Sequence, residues 1–257
     1  MSAPVFGPLE LGLEEPCRVA VGTLELWIER GAKTWKLATR RIPRQTAPSK
    51  ETVGLAWPTD LVPAVHGAPQ GTTGLELRPV TPGRRVVFSP TRTLVIHPGD
   101  ALELWAEIPL SLVALSKEAE LCRLPLLPQK ETWFGPSTVD GELAYAVRGE
   151  APLVDRLPGF NVDVARTKLR VENGGARGLT LERVLLPAPS LSLWSDPDGR
   201  LYTQAVSVRT DQDAHLAKVS VADGPPREAL EPKPTSGPRP RTPSTFEVDL
   251  ERVLFGA

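Results

Sequence analysis

The chain has few of the residues from which disulfide-linked, metal-binding and many catalytic sites are built. Its 257 residues include 2 cysteines, 3 histidines and 1 methionine. Cys17 and Cys122 have no CxxC neighbour, and two cysteines cannot form a disulfide framework. We therefore expect buried thiols that stay reduced, as in an intracellular compartment.

The sequence contains no recognised catalytic or metal-binding motif. His66, His97 and His215 lie far apart and share no ligand spacing, so we predict no metal site. No P-loop is present, nor a GxSxG or a GxGxxG that opens a helix after a strand. Residues 195–198 could offer oxygen ligands to calcium, but the run DPDG from residue 196 is typical of a turn. The sequence predicts no cofactor and no enzyme, and it leaves open a carboxylate pair assembled from distant residues.

Charge and hydropathy argue against a nucleic-acid-binding protein and against a membrane-spanning or secreted protein. Lys and Arg number 30 against 31 Asp and Glu, without a basic stripe, so we expect no nucleic-acid partner. No apolar run approaches the roughly 20 residues needed to cross a bilayer. The N-terminus lacks a basic region followed by an apolar core, which a signal peptide requires. We therefore expect a cytoplasmic protein with no transmembrane segment.

Proline and glycine are abundant instead, and short alternating segments lie between them. The 28 prolines are spread along the chain, which argues against long helices. Residues 23–29 alternate apolar and polar side chains, and residues 101–108 form the clearest such pattern. Residues 42–73 alternate less and are predicted to be a long ordered loop that could contain one short strand. The pattern predicts an all-β protein, an antiparallel β-sandwich of two packed β units with few short helices.

Composition also divides the chain. We predict an N-terminal β domain over residues 1–128, a C-terminal antiparallel β domain over 129–222, and a proline-rich linker over 223–244. Residues 245–257 form an apolar tail in which Phe246, Leu250, Val253 and Leu254 have helical spacing. The tail could dock on a partner, or pack on its own domain as a final strand or helix.

Aromatic residues are densest in residues 132–145. We interpret this segment as a hairpin with two possible roles. Trp133, Phe134 and Tyr145 could be core residues, or together with Glu142 they could form a protein-interaction surface. Aromatic side chains beside a carboxylate are typical of interface hot spots, because they bury a large rigid area.

The same segment carries a family resemblance. Residues 131–147 (ETWFGPSTVDGELAYAV) resemble a TWFG…GELCYA run in bacterial members of the domain of unknown function 432 family. Ala144 stands where the family often has cysteine. Residues 86–112 and 179–202 resemble two further family segments, and the similarity spans about residues 3–222. The resemblance implies no catalytic residue. Because family members often lie beside small mechanosensitive channels, it does imply an accessory role toward such a channel.

We therefore predict a non-enzymatic interaction or scaffold protein with a protein partner. One alternative is a carbohydrate-like ligand-binding module or hydrolase, for which a pocket should join two carboxylates to an exposed Trp27, Trp105 or Trp194. Another is a structural subunit of a larger assembly. The sequence leaves the oligomeric state open.

Overall fold

The computed structural model describes residues 5–69, 72–135, 139, 141–153, 159, 161–210, 216–238 and 245–249. The side chains of Thr46, Leu216 and residues 245–249 are outside this description.

The described chain is built from strands, and its one helical segment is the 3-10 turn η1 (Ala188–Ser190). The strands are β1 (Gly7–Glu10), β2 (Pro16–Arg30), β3 (Thr34–Glu51), β4 (Ala64–Gly67), β5 (Gly74–Val80), β6 (Val86–Pro90), β7 (Leu94–Ile96), β8 (Ala101–Pro109), β9 (Ser111–Ser116), β10 (Ala119–Pro125), β11 (Lys130–Phe134), β12 (Glu142–Gly149), β13 (Val164–Glu172), β14 (Leu179–Leu181), β15 (Val184–Leu186), β16 (Leu193–Ser195), β17 (Leu201–Thr203), β18 (Val206–Thr210), β19 (Leu216–Val221), β20 (Lys233–Ser236) and β21 (Thr245–Asp249). The predicted all-β fold class is confirmed.

The strands group into two compact units that interleave along the chain. Unit 1 combines Met1–Val80, Leu110–Pro128 and Asn161–Asp163, and unit 2 contains Thr81–Pro109, Gln129–Phe160 and Val164–Ala257. The sequence predicted contiguous domains, 1–128 and 129–222. Composition cannot show this interleaving, because it results from pairing between strands that are distant in sequence.

Unit 1 contains two antiparallel sheets, ordered β1-β5-β9-β10 and β2-β3-β4. Hairpin β2–β3 closes where the Gly31 N–H donates to the Thr34 carbonyl at 2.8 Å. Its strands stay paired as far as Arg18 and Glu51, so the loop predicted over residues 42–73 is wrong for residues 42–51. Pro43 and Pro48 are tolerated there because β4 pairs only with residues 34–37 of β3, which leaves the rest of β3 at an edge.

Unit 2 is organised around β13, which pairs along both edges. Its whole length is antiparallel to β8, from Val164 opposite Pro109 to Glu172 opposite Ala101. Its other edge is shared by β17 and then β18, both parallel to it. Strands β16 and β20 continue the sheet from β17, and β19 and β21 continue it from β18.

A second sheet of unit 2 has the order β11-β12-β6-β15, and β7 pairs with β14. Apolar side chains from both sheets form one buried cluster. Its members include Val86 and Phe88 from β6, Leu104 and Ile108 from β8, Leu169 and Val171 from β13, and Val206 and Val208 from β18. Two sheets that share one apolar core are the predicted sandwich arrangement.

The C-terminal region differs from its prediction. Within the predicted linker, Ala229 is buried against Trp105 and Tyr202, and β20 pairs with β16. In the predicted tail, Phe246 lies in β21 with Val219 as its register partner, so the helical face is wrong for this residue and the alternative of a final strand on its own domain describes it. Strand β21 satisfies backbone groups along β19, which apolar spacing cannot reveal. Leu250, Val253 and Leu254 lie outside the described residues.

Gly22 provides a test of packing in unit 1. Its φ is +58°, and a Cβ there would lie 2.7 Å from the Leu126 carbonyl oxygen and 2.9 Å from Asp163 Cβ. Gly54 has a φ of +71° with no atom within 4 Å of such a Cβ. We expect Gly54→Ala to cost about 1–2 kcal/mol from the left-handed backbone alone. Gly22→Ala should cost more than about 3 kcal/mol, because the clash adds to that strain.

Urea unfolding of the two variants measures this difference, with Gly54→Ala as the matched control. Equal destabilisation of the two variants would contradict the close approach at Gly22.

Candidate functional site

The candidate surface is the hairpin of β11 and β12. Strand β11 is at the end of its sheet, and its register sets Trp133 opposite Leu143 and Phe134 opposite Glu142. Directly opposed residues in an antiparallel pair share a face, and neighbours along a strand alternate. The hairpin therefore has a Trp133 face, with Glu131, Leu143 and Tyr145, and an opposite Phe134 face.

The Trp133 face exposes a pair of large apolar side chains. Trp133 is 42% exposed and Leu143, its cross-strand partner, is 41% exposed. The Trp133 indole lies over the backbone of Gly141, where a Cβ would be 2.5 Å from its Nε1 atom. The missing side chain at Gly141, just before β12, thus leaves the space that the indole occupies.

Charged groups border this apolar pair. Arg84 forms an ion pair with Glu131, and its guanidinium lies over the Tyr145 ring at 5.6 Å from the centroid. Tyr145 is half-buried and packs on the main core of unit 2. The face therefore combines an apolar centre with a charged border, as interfaces commonly do.

The opposite face is closed. Phe134 is 2% exposed and forms a small buried cluster with Val87, Ala144 and Leu185. The Arg183 guanidinium lies over the Phe134 ring at 5.6 Å. Glu142, opposite Phe134, is half-buried and accepts a hydrogen bond from Arg85 Nη1 at 3.2 Å.

The four predicted residues are thus split between two faces. Trp133 and Tyr145 lie together on one face, whereas Phe134 is a core residue and Glu142 is held by an ion pair. Sequence reasoning missed Leu143 and Arg84. Alternation along residues 142–147 was the signal that could have placed Leu143 on the Trp133 face, once the register was known.

A cleft of about 630 Å³ lies elsewhere in unit 2. The described residues that line it are mostly aliphatic and proline, with three polar residues, and are Pro90, Thr91, Arg92, Leu94, Leu102, Glu150, Ala151, Pro152 and Leu153. Ala151 has a φ of +27°, a backbone conformation that costs free energy for a residue with a side chain.

Among the described residues that line the cleft, Glu150 is the one carboxylate, and none of Trp27, Trp105 and Trp194 is present. The described lining therefore does not supply the two carboxylates and the tryptophan that the carbohydrate alternative requires. Trp27 and Trp105 are buried and Trp194 is half-buried.

Trp27 takes part in a buried charge cluster of unit 1. Its indole N–H donates to Glu25 Oε1 at 2.9 Å, and the carboxylate also pairs with Arg18 and Arg40. Glu25 is 1% exposed. Burial by itself raises the pKa of Glu25, but the hydrogen bonds from Trp27, Arg18 and Arg40 outweigh it and lower the pKa. A carboxylate held ionised by two guanidinium groups has a structural role in joining β2 to β3.

The other residues considered as metal ligands in the sequence do not form a metal site among the described residues. Asp196 Oδ1 accepts the Arg200 backbone N–H at 2.8 Å, as expected for the predicted turn. Among the described residues, no three His, Cys, Asp or Glu side chains form a group that could hold a metal ion. His215 lies outside the described residues. Within the described part of the chain, no helix has the length and apolar character needed to cross a bilayer.

Both cysteines are free thiols. Cys17 is buried, as predicted, whereas Cys122 is half-buried. Burial raises the pKa of the Cys17 thiol to about 11, and it also raises the pKa of Cys122. Neither thiol is therefore ionised for nucleophilic attack at neutral pH.

The fold and the candidate surface define an all-β protein with a two-sheet core in unit 2 and an exposed aromatic hairpin. The chain belongs to the family described as protein of unknown function (DUF432), whose model matches residues 5–249. The resemblance seen in the sequence is thereby confirmed, and the match extends beyond residue 222, where the sequence resemblance was predicted to end. Searches of curated proteins and of solved structures found no match.

The Glu25 cluster predicts a pH-dependent loss of stability. Because folding lowers the Glu25 pKa, its contribution is complete above the unfolded pKa and is lost as pH falls through the folded pKa. Glu25→Gln should destabilise the protein at pH 7, by less than the ~3–5 kcal/mol of a fully buried pair, because both arginines reach water. The difference from wild type should shrink below about pH 4.

Urea unfolding of wild type and Glu25→Gln across pH 3–7 measures this effect. Glu76→Gln, at a more exposed ion pair, is the control. A difference that is the same at all pH values would contradict the ionised state of Glu25.

The burial of the Cys17 thiol predicts that it is alkylated slowly in the native protein. Iodoacetamide at pH 7.5 should leave Cys17 unmodified in the native protein and modify it once urea unfolds the chain, since the thiol is buried and protonated. Mass spectrometry of wild type and Cys17→Ser assigns the modified site. If Cys17 in the folded protein is alkylated as fast as an exposed thiol, the burial of Cys17 is wrong.

Proposed function

We propose that the protein is a non-catalytic interaction module that binds a protein partner through the Trp133 face of the β11–β12 hairpin. The observation that carries this proposal is the exposed cross-strand pair of Trp133 and Leu143. Large rigid aromatic groups with an apolar neighbour supply most of the binding energy in many interfaces. The ion pair of Arg84 and Glu131 beside them favours specificity.

The position of β11 supports the same proposal. It is the end strand of its sheet, and residues 130–133 lack the full burial seen at Phe134. A surface on such a strand is held by rigid backbone pairing, so binding needs little ordering of the hairpin.

Two further points belong to this proposal. Free thiols at Cys17 and Cys122 favour a reducing compartment, so we place the protein in the cytoplasm. The family resemblance suggests a subunit of a small mechanosensitive channel as the first partner to test.

The apolar cleft favours a second candidate function, small-ligand binding. Its volume of about 630 Å³ is within the range of ligand sites, and Arg92 and Glu150 offer polar contacts. An aliphatic ligand suits this lining better than a carbohydrate, which usually stacks on exposed aromatic rings. Leu102→Trp, which fills the cleft, separates the two functions because it should leave partner capture by the hairpin unchanged.

The central prediction concerns Trp133. Trp133→Ala should reduce partner binding by about 30-fold or more, equivalent to a hot-spot loss of at least ~2 kcal/mol. Because a little over half of the side chain is buried, its removal should cost about 2–3 kcal/mol in stability. Leu143→Ser should weaken binding in the same direction.

Pull-down and titration with the co-expressed channel subunit measure binding, and urea unfolding measures stability. Val95→Ser is the control, since Val95 is also exposed but lies on β7 in another sheet. If Trp133→Ala unfolds the protein, the hairpin is core. If it binds as well as wild type, the proposed surface is wrong.

A further inference from the structure

The outer edge of strand β11 is regular. Strand β11 is the end strand of its sheet, contains no proline, and pairs with β12 over all 5 of its residues without a bulge. Two other end strands are interrupted, since β10 has a register shift and ends at Pro125, and β20 contains Pro234 beside a register shift. Bulges and prolines prevent a further strand from adding to an edge. Strand β11 therefore keeps an edge on which another strand can pair.

The register of the hairpin shows which backbone groups face this edge. The Tyr145 N–H donates to the Arg85 carbonyl at 2.9 Å, so the backbone groups of Tyr145 face β6 and not β11. Opposed residues of an antiparallel pair face each other or face away together, and the direction alternates along each strand. Glu131 is the register partner of Tyr145. The backbone groups of Glu131 and Trp133 therefore point to the outer edge, and those of Thr132 point to β12.

These directions restrict how two copies of β11 can pair in an antiparallel way. Residues that bond across the new edge must both face it, which limits the bonded positions to Glu131 and Trp133. A register with Glu131 opposite itself would oppose like charges, which destabilises a strand pair. A register with Thr132 opposite itself sets Glu131 opposite Trp133 of the other copy. This register also pairs all 5 residues of the strand with all 5 of the second copy.

The side chains are compatible in the register centred on Thr132. The Trp133 indole of one copy lies beside Glu131 of the other, whose charge is balanced by its ion pair with Arg84. On the other face, two threonines oppose each other, which is a favourable cross-strand pair, and no like charges are opposed. Among the large apolar side chains that the described residues expose, Trp133 is the one aromatic. Pairing at this edge therefore covers part of the most exposed aromatic surface described.

The Trp133 carbonyl has a weak local contact that does not prevent this pairing. The Thr132 hydroxyl donates to it at 3.4 Å, which is long for a hydrogen bond. A carbonyl oxygen has two lone pairs and can accept a second donor.

We propose that β11 pairs antiparallel with β11 of a second copy of this chain, with Thr132 on the two-fold axis. Two four-stranded sheets then join into one continuous sheet. Pairing uses the strand edge, whereas the partner proposed above binds the Trp133 face, so the dimer does not depend on that function. Both Trp133 faces lie on the same side of the joined sheet. Because the interface is small, the dimer should dissociate in the micromolar range.

A disulfide trap tests the register in the full-length protein, in a Cys122→Ser background. Opposed residues at a site without hydrogen bonds have Cα atoms about 4.5 Å apart, which a disulfide spans. Oxidised Thr132→Cys should therefore form a covalent dimer. Glu131→Cys is the matched control, because its two copies would be offset by two residues and lie about 8 Å apart. The Thr132→Cys dimer should form at least about tenfold faster than the control dimer.

Proline variants test the direction of the backbone groups. Glu131→Pro removes an N–H that faces the outer edge and should weaken self-association at least about tenfold, with the hairpin intact. Glu131→Gln keeps the N–H and should associate within about twofold of wild type. Thr132→Pro removes an N–H that bonds to β12, so it should lower the urea midpoint far more than Glu131→Pro.

Sedimentation velocity over a range of protein concentrations measures self-association, and wild type should move from monomer to dimer. A monomer at every concentration would overturn the proposal, as would equal crosslinking at both cysteine positions or a Glu131→Pro variant that dimerises like wild type. A monomer that still captures its partner through Trp133 would overturn self-pairing alone. A dimer of the expected register that captures no partner would overturn the proposed function alone.

Discussion

Backbone pairing along β13 is the constraint on which unit 2 depends. This strand bonds to β8 over nine register pairs on one edge and to β17 and β18 on the other. Leu169 and Val171 project into the core between the sheets, while Lys168 projects to the outer face. One strand therefore positions both the core and the outer face of this sheet. A central strand whose backbone groups are satisfied on both edges has little freedom to shift in register.

Two sheets of unit 2 differ in how their aromatic side chains are covered. A sheet that ends in solvent has unpaired backbone groups, and its outer face has side chains that need cover. At β11 the sheet ends with an exposed aromatic and a charged border. On the outer face of the β8–β13 sheet, a proline-rich segment covers buried aromatics. In both places the side chains on the sheet surface are aromatic, and their large rigid rings bury a large apolar area when another group packs on them.

The buried carboxylates of unit 1 have a structural role. Glu25 is almost fully buried, yet it has three hydrogen-bond donors around it, two of them from arginines. Asp163 is held in the same way by a two-point contact with Arg44, at 2.8 Å for each bond. Buried carboxylates with complete hydrogen bonding hold strands in one arrangement, since any other arrangement would leave a buried charge unpaired.

How far the sequence determined this protein can be seen in particular segments. Alternation over residues 101–108 was enough to predict β8, because the two faces of a half-buried strand differ in hydropathy. The all-β class and the DPDG turn followed from similar local rules. The sequence also carried the family resemblance, because the segment at residues 131–147 is distinctive.

Only the tertiary structure decided the rest. Phe134 and Trp133 are adjacent aromatics on opposite faces of β11, and packing against Val87 and Leu185 makes Phe134 a core residue while Trp133 stays exposed. Phe246 has helical spacing to its neighbours, yet pairing with β19 makes its segment a strand. The segment 222–232 is too proline-rich to form a core of its own, but its Ala229 packs on Trp105 and Tyr202. In each case the deciding partner is distant in sequence, so no local pattern contains the information.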